Sequence, residues 1–418
     1  MAVVRAFKAV RPAPRLAADV AALPYDVMNS QEARQMVVGN PHSFLHVDKA
    51  EIDLDPAMDL YDPRVYEKAR DNLDQMIADD VFIQDETPCL YIYKQVMQGR
   101  TQIGIVGCAS IDDYMENRIR KHELTRADKE QDRINHVDYC DANTGPIFLT
   151  YRARADINAL VDGQMAAKAP VYDFTSDDGI THIVWVIDDA AVIEQLTAAF
   201  AGIENLYIAD GHHRCASAAR VGQMRRNAKP DYDGSEEFNY FLSVIFPDEQ
   251  LYIMDYNRIV KDLNGNDKAA FLAKVEETFT VTPHAGSGAL KPQAKHTYGM
   301  YLDGKWYLLE AKPGSFDPAD PVAQLDVSIL QNNLLHPILG IGDPRTDKRI
   351  DFVGGIRGLN ALCERVDSGE MAVAFSMYPT TMEDLMDIAD AGAIMPPKST
   401  WFEPKLRSGL FIHKLSEE

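Results

Sequence analysis

The sequence predicts a mixed α/β (α+β) protein, and three observations carry that expectation. Short runs rich in β-branched and aromatic residues alternate with segments whose apolar residues recur at helical spacing. One such run, Asn205–Ala209, ends in Asp210-Gly211-His212-His213-Arg214 and leads into the small-residue stretch Cys215–Arg220, a pattern of strand, tight loop and helix. At 418 residues, with 46% hydrophobic and 25% charged residues, the chain suits two or three domains with sizeable cores.

Residues 1–89 read as an N-terminal α/β segment. Ser30 can cap a short helix ending near Gly39. Pro63 opens a longer helix with Tyr66, Ala69, Leu73, Met76 and Ile77 on one face. Residues 90–250 form the expected core domain. Leu90–Lys94 and Ile103–Gly107 flank Gln98-Gly99 and read as a hairpin. A charged run follows from Tyr114 to Asp138, then strands at Pro146–Tyr151, Thr181–Asp188 and Tyr240–Phe246, with helices around 155–166 and 190–202. Residues 251–418 read as a C-terminal α/β region with a hairpin turning at Asp303-Gly304. Its last stretch, Met395–Leu415, lacks periodicity and is expected as an extended basic tail laid over the body.

The Asp210 loop concentrates chemistry. A strand-loop-helix junction aims backbone N–H groups and the positive end of a helix dipole at one point. Arg214 can grip a phosphate through two parallel hydrogen bonds, a histidine can move a proton near neutral pH, and Asp210 can cap the helix or hold a metal. An Asp-Gly turn with solvated histidines is the plain alternative.

Two further clusters stand out. In Lys121–Arg133, a helix from about Thr125 would place Arg126, Lys129, Glu130 and Arg133 on one face. Three cations there suit a polyanion, and His122-Glu123 just before it offers a general base; an ion-paired, solvated face is the alternative. In Pro397–Gly409, the cations Lys398, Lys405 and Arg407 and the hydroxyls of Ser399 and Thr400 suit a phosphate or small carboxylate. The alternative there is a tail anchored by Trp401 and Phe402. Pro24-Tyr25-Asp26 and Asn40-Pro41-His42-Ser43 could face the same cleft or mark ordinary turns, and Gly354–Gly358 reads as a structural turn.

Composition narrows the function classes. A net charge of -22 argues against binding a phosphate backbone, so no nucleic-acid partner is expected. The five cysteines are widely spaced and form no CxxC pair, which speaks against a disulfide framework or structural zinc; no metal ligand set emerges. No window approaches a membrane span and the first residues lack a signal-peptide pattern, so a cytoplasmic protein is expected. Oligomeric state is not legible.

Asp-Gly-His-His-Arg leading into a helix of small residues resembles the signature loop of the ParB/sulfiredoxin-like superfamily, which includes the nucleotide-dependent free serine kinases. End to end, the chain resembles the family known as domain of unknown function 1015. The matching stretches are Phe7–Asp26, Asn40–His46, Lys121–Arg133, Ile208–Arg214, Leu335–Asp343 and Met395–Leu410. The resemblance implies a ParB/sulfiredoxin-like core with N- and C-terminal α/β additions. It implies phosphoryl transfer on a small amino-acid-like substrate, with serine/phosphoserine the sharpest form, ADP or ATP as nucleotide, and Mg²⁺. Family members tend to be encoded beside serine-biosynthesis genes, which favours phosphoserine to serine, with ADP or water as acceptor.

In the serine kinases a His-Glu pair supplies the glutamate that deprotonates the serine hydroxyl, and His122-Glu123 looks like that pair. The expected catalytic residues are then Glu123, Asp210 and His213. Gly211, His212, Arg214, His122, Arg126, Lys129 and Arg133 are expected to bind phosphate or nucleotide, and Lys398, Ser399, Thr400 and Lys405 the substrate. Sulfiredoxin chemistry would need a cysteine where this chain has His212. Cys215 lies in the helix with Ala218, Ala219 and Gly222 at close-packing spacing, so it reads as core. A nucleotide-sensing module without turnover is the non-enzyme alternative.

Overall fold

The computed structural model describes residues 1–416. They form two compact units: Met1–Leu251 together with the chain from Pro404 onward, and Tyr252–Glu403. The segments expected at 1–89 and 90–250 both lie in the first unit, while 251–418 divides between the two. Both units mix helices and sheets, so the fold is α+β.

In the first unit, among the described residues, nine strands form one mixed sheet. Its order is Ile119–Arg120, Leu206–Asp210, Ile147–Tyr151, Tyr240–Pro247, Arg100–Ser110, Leu90–Met97, Thr181–Ile187 and Tyr172–Thr175, with Val4–Arg5 also paired to Arg100–Ser110. Leu90–Met97 and Arg100–Ser110 form the hairpin expected from Gln98-Gly99. Both turn residues have positive φ, the two-residue turn whose twist matches that of the flanking strands. Leu206–Asp210 runs parallel to Ile119–Arg120 and antiparallel to Ile147–Tyr151. That pairing brings the loops after residues 120 and 210 to the same end of the sheet. One face is closed by Ile157, Val161, Leu196 and Phe200 of the helices Ala155–Ala167 and Ala190–Ala201, packed on Ile147, Leu149, Leu206 and Ile208.

The N-terminal segment adds its own small core. The helix Pro63–Ala78 starts at the expected proline and buries Tyr66, Ala69, Leu73 and Met76, and Val65 as well. The short helix Ser30–Met36 differs from expectation at its cap. Asn29, not Ser30, accepts the Glu32 N–H, and the Glu32 side chain returns the bond to the Asn29 N–H. Asn is as good a cap as Ser, and only Asn29 has an acid three residues on to complete the reciprocal pair. The chain end is extended, as expected: Ser408 bridges Ala22, Ile412 bridges Val10, and His413–Lys414 pairs with Ala142–Asn143.

The second unit is a six-stranded antiparallel sheet, ordered Phe279–Pro283, Lys305–Ala311, Thr297–Leu302, Val373–Met377, Tyr256–Val260 and Ile350–Gly354. The hairpin at Asp303-Gly304 forms with positive φ at both turn residues. Gly355–Arg357 is a single helical turn anchored by the Gly355 N–H on the Asp255 carbonyl, a structural turn.

This unit holds a buried carboxyl, Asp326. Its Oδ1 accepts the His296 N–H at 2.8 Å and its Oδ2 has no partner. Burial pushes it up to about 7, helped by Asp384 and opposed by the His296 N–H and Lys295. The folded state therefore holds a proton that the unfolded chain releases near pH 4, and stability falls as pH rises from about 4 to 7. Asp326→Asn should remove that slope. The full gap corresponds to an upper bound of about 4 kcal/mol; the asparagine N–H meets the same unpartnered position, so about 1–2 kcal/mol of stabilisation at pH 8 is expected. Urea unfolding at pH 5 and pH 8 checks it: a variant with the wild-type pH slope would show that Asp326 ionises normally.

Candidate functional site

The site is built at the junction of the Leu206–Asp210 strand with the helix His212–Ala228. Gly211 makes the junction. It sits at φ +93, and a Cβ there would meet the Arg214 guanidinium at 3.1–3.2 Å. Both the backbone and the approach of Arg214 exclude a larger residue. Gly211 is also the N-cap, and no side chain caps the helix. The capping role open to Asp210 is thus not taken: its Oδ1 accepts the Gly211 N–H at 2.9 Å, and its Oδ2 lies 3.3 Å from Lys405 Nζ. The first-turn amides remain directed out of the helix, where a negative group is favoured.

Arg214 is half-buried and held at one end. Its Nη1 donates to the Pro146 carbonyl at 2.7 Å, while its buried Nε has no partner. Burial works against its charge, but Asp26, Asp210, Tyr25 and Asp48 outweigh burial and raise its pKa. Burial likewise works to raise Asp210, and the charges of Lys405 and Arg214 overcome it, holding the carboxyl down at about 2. Asp210 is therefore an ionised group at neutral pH. His213 accepts the Arg126 N–H on Nε2 at 3.0 Å, and burial lowers its pKa, so it is a neutral imidazole with its ring proton on Nδ1.

The segment 121–126 lies against this helix. The His122 N–H points at His212 Nε2 from 3.4 Å, and His212 Nδ1 is 3.8 Å from Glu123 Oε2. Glu123 is exposed, His122 and His212 buried. The helix that follows runs Ala127–Cys140 with Arg126 as its N-cap, two residues later than the expected start. The four residues placed on one face have separate surroundings. Arg126 pairs with Asp128, Lys129 Nζ contacts Tyr61 Oη at 3.0 Å, and Glu130 accepts the Thr125 hydroxyl. Arg133 turns inward, paired with Asp132 and stacked 4.0 Å above the Tyr25 ring.

Sequence reasoning missed the floor of this region. Asp48 is buried and accepts the Thr144 hydroxyl at 2.8 Å; burial raises its pKa against Arg133, Thr144 and Ser408. Tyr25 and Asp26, noted only as a turn that could face the cleft, act electrostatically on Arg133 and Arg214. Asn40 instead makes a turn, its Oδ1 accepting the His42 N–H. No local signal marks Asp48, which stands among the charged residues Lys49, Glu51 and Asp53, and its partner Thr144 lies 96 residues away.

Of the tail cluster, Lys405 joins Asp210 in the first unit. Arg407 is buried and ion-paired with Asp178, with a further bond to Ser176 Oγ at 3.1 Å. Lys398, Ser399 and Thr400 belong to the second unit. There the Lys398 carbonyl accepts from Arg258, and Ser399 Oγ donates to the Pro396 carbonyl at 2.6 Å. Cys215 is fully buried and burial raises its pKa, so it is a packed thiol. No helix among the described residues is long and apolar enough to cross a membrane.

The fold and this loop define an α+β protein with an uncapped helix start beside Arg214. The chain belongs to the family described as protein of unknown function DUF1015, whose model matches residues 4–328. A search of curated proteins gave no match. Similar solved structures include a conserved hypothetical protein from Pyrococcus furiosus, at 14% identity over 74% of this chain and 94% of that one, TM-score 0.35. A free serine kinase in complex with AMP is similar at 13% identity over 74% and 91%, TM-score 0.37. SbnI from Staphylococcus aureus is similar at 10% over 72% and 85%, TM-score 0.37. Likenesses of this size carry no argument about activity.

Proposed function

We propose that the protein catalyses phosphoryl transfer on a small amino-acid-like molecule, with serine/phosphoserine as substrate and ADP or ATP as nucleotide. One observation carries the reading: Arg214, fixed at Nη1 by Pro146, turns a buried, unpartnered Nε beside Gly211 at the uncapped start of a helix. A phosphoryl group placed there would accept from the guanidinium and the first-turn amides of His212 and His213.

In the direction phosphoserine to serine, the bond from phosphorus to the seryl oxygen breaks. A new bond forms from phosphorus to an oxygen of ADP or of water, the water giving up a proton to solvent, and the seryl oxygen takes a proton from Glu123, which has gained it from solvent; in reverse, Glu123 removes it. Asp210 and His213 flank the transferred group. His122, Arg126, Lys129 and Arg133 are assigned to the nucleotide side. Lys405, beside Asp210, is assigned to the substrate. Mg²⁺ takes oxygen ligands, and Asp26 and Asp210, beside Arg214, are the carboxylates that suit it together with nucleotide phosphates. Bound there it would neutralise charge on the transferred group.

Phosphorus NMR of the purified protein with phosphoserine and Mg²⁺, with and without ADP, tests the reading. Loss of the phosphoserine resonance is expected, with ATP or inorganic phosphate as the phosphorus product. Nucleotide binding without conversion would make the protein a sensor. Cys215→Ser is expected to keep most of the turnover, because the thiol is buried and protonated. An inactive but folded variant, with substrate protecting the wild type from alkylation, would point to a nucleophilic thiol instead.

A further inference from the structure

The loop after Ile119–Arg120 brings two imidazoles and a carboxylate together. A ring nitrogen of His122, one of His212 and a carboxylate oxygen of Glu123 all lie within 4.8 Å of one another. The two rings cross edge to face, centroids 4.4 Å apart at 89°. His212 Nδ1 stands 3.8 Å from Glu123 Oε2. His122 is 2% exposed, and neither of its ring nitrogens has a hydrogen-bond partner. A buried imidazole in that state is costly, and a cation bound to the ring would satisfy it.

We propose that His122, Glu123 and His212 form a binding site for a divalent first-row transition ion, with Zn²⁺ the best fit. Two imidazoles and a carboxylate suit Zn²⁺ and its neighbours, whereas Mg²⁺ takes oxygen ligands. Three protein donors leave one tetrahedral position open, the pattern of reactive rather than structural zinc sites. Bonds of about 2.0–2.1 Å would set the donors roughly 3.4 Å apart, so the present cluster closes by up to about 1.4 Å. Glu123 is exposed and can supply that movement by rotating its side chain. His212 has one nitrogen to give. Its Nε2 has only the 3.4 Å contact with the His122 N–H; an ion on Nδ1 would shift the ring proton to Nε2 and release it.

The proposal goes beyond the phosphoryl-transfer reading and does not rest on it, although both use Glu123. A carboxylate coordinating through one oxygen keeps the other for a proton.

The test uses the full chain, stripped with a chelator and titrated with Zn²⁺ against a chromophoric competitor, and with Co²⁺ followed by visible absorption. About one equivalent of Zn²⁺ per chain is expected, with Co²⁺ giving the intense visible bands of a four- or five-coordinate site. Glu123→Gln and His212→Asn, checked by circular dichroism, should each weaken Zn²⁺ by at least roughly 10–100-fold, since even loss of an outer partner does that. Because Glu123 is exposed, its variant reports even where the histidine variant does not fold. Wild-type protein without stoichiometric Zn²⁺ binding overturns the site, as does Glu123→Gln with wild-type affinity. Neither result bears on phosphoserine conversion, which the NMR measurement decides separately.

Discussion

Glu123→Gln should lower turnover of phosphoserine roughly 10²–10⁴-fold, the ordinary value of a positioned proton-transfer group. The substitution keeps the size of the side chain and removes its basicity. Glu123 is exposed, so the fold has little to lose, and the loop that carries it stays docked through its neighbours. The Arg126 N–H still donates to His213 Nε2, and His122 still packs edge to face on His212. Nucleotide and phosphoserine affinities should change little, because the group acts on the transition state; kcat and kcat/KM should fall together. Zn²⁺ content measured alongside separates loss of a base from loss of a bound ion. A variant that turns over at the wild-type rate would move the base elsewhere. Asp210, held at about 2 by Lys405 and Arg214 against its burial, is too weak a base to be the first choice. His213 would then be the better candidate, its Nε2 taking the proton once the Arg126 N–H gives way.

Local chemistry was legible in the sequence, and long-range company was not. Gln98-Gly99 and Asp303-Gly304 announced two hairpins because only a few residue pairs accept positive φ at both turn positions. Pro63 and the spacing of Tyr66, Ala69, Leu73 and Met76 gave a helix and its buried face. The small residues after Cys215 gave its burial. The charged run was harder. Arg126 and Arg133 share a helical spacing, but Arg126 folds back on Asp128 while Arg133 points into the protein, toward Asp132 and Tyr25. Periodicity reports where a side chain leaves the helix, not which partner it finds. Site-building pairs are remote in sequence: His122 and His212 are 90 residues apart, Asp210 and Lys405 195. The tail was unreadable for a related reason. With no period to follow, nothing local told Lys398, in the second unit, from Lys405, in the first.

Arg214→Ala should weaken binding of phosphoserine and inorganic phosphate by about 10–150-fold, the equivalent of about 1.5–3 kcal/mol for a lost charge-assisted pair. The side chain is anchored at Nη1 and crowded by Gly211, so its fork is held in place before any ligand arrives. That preorganisation is what a lysine would lack. Arg214→Lys should therefore recover the charge but only part of the affinity, since an ammonium cannot offer two parallel donors. The fold should survive either change. The Pro146 carbonyl loses a partner, while the helix keeps Cys215 in the core and its hydrogen bond from the Cys215 N–H to the Gly211 carbonyl. Removing the cation also leaves Asp26, Asp48 and Asp210 without their common neighbour, which makes the pocket less welcoming to any anion. The loss should therefore be larger at low ionic strength, where those charges are least screened. Calorimetric titration of folded Arg214→Ala with phosphoserine at two salt concentrations measures both effects. An affinity equal to wild type would mean that the phosphate sits elsewhere and that the uncapped helix start serves another group.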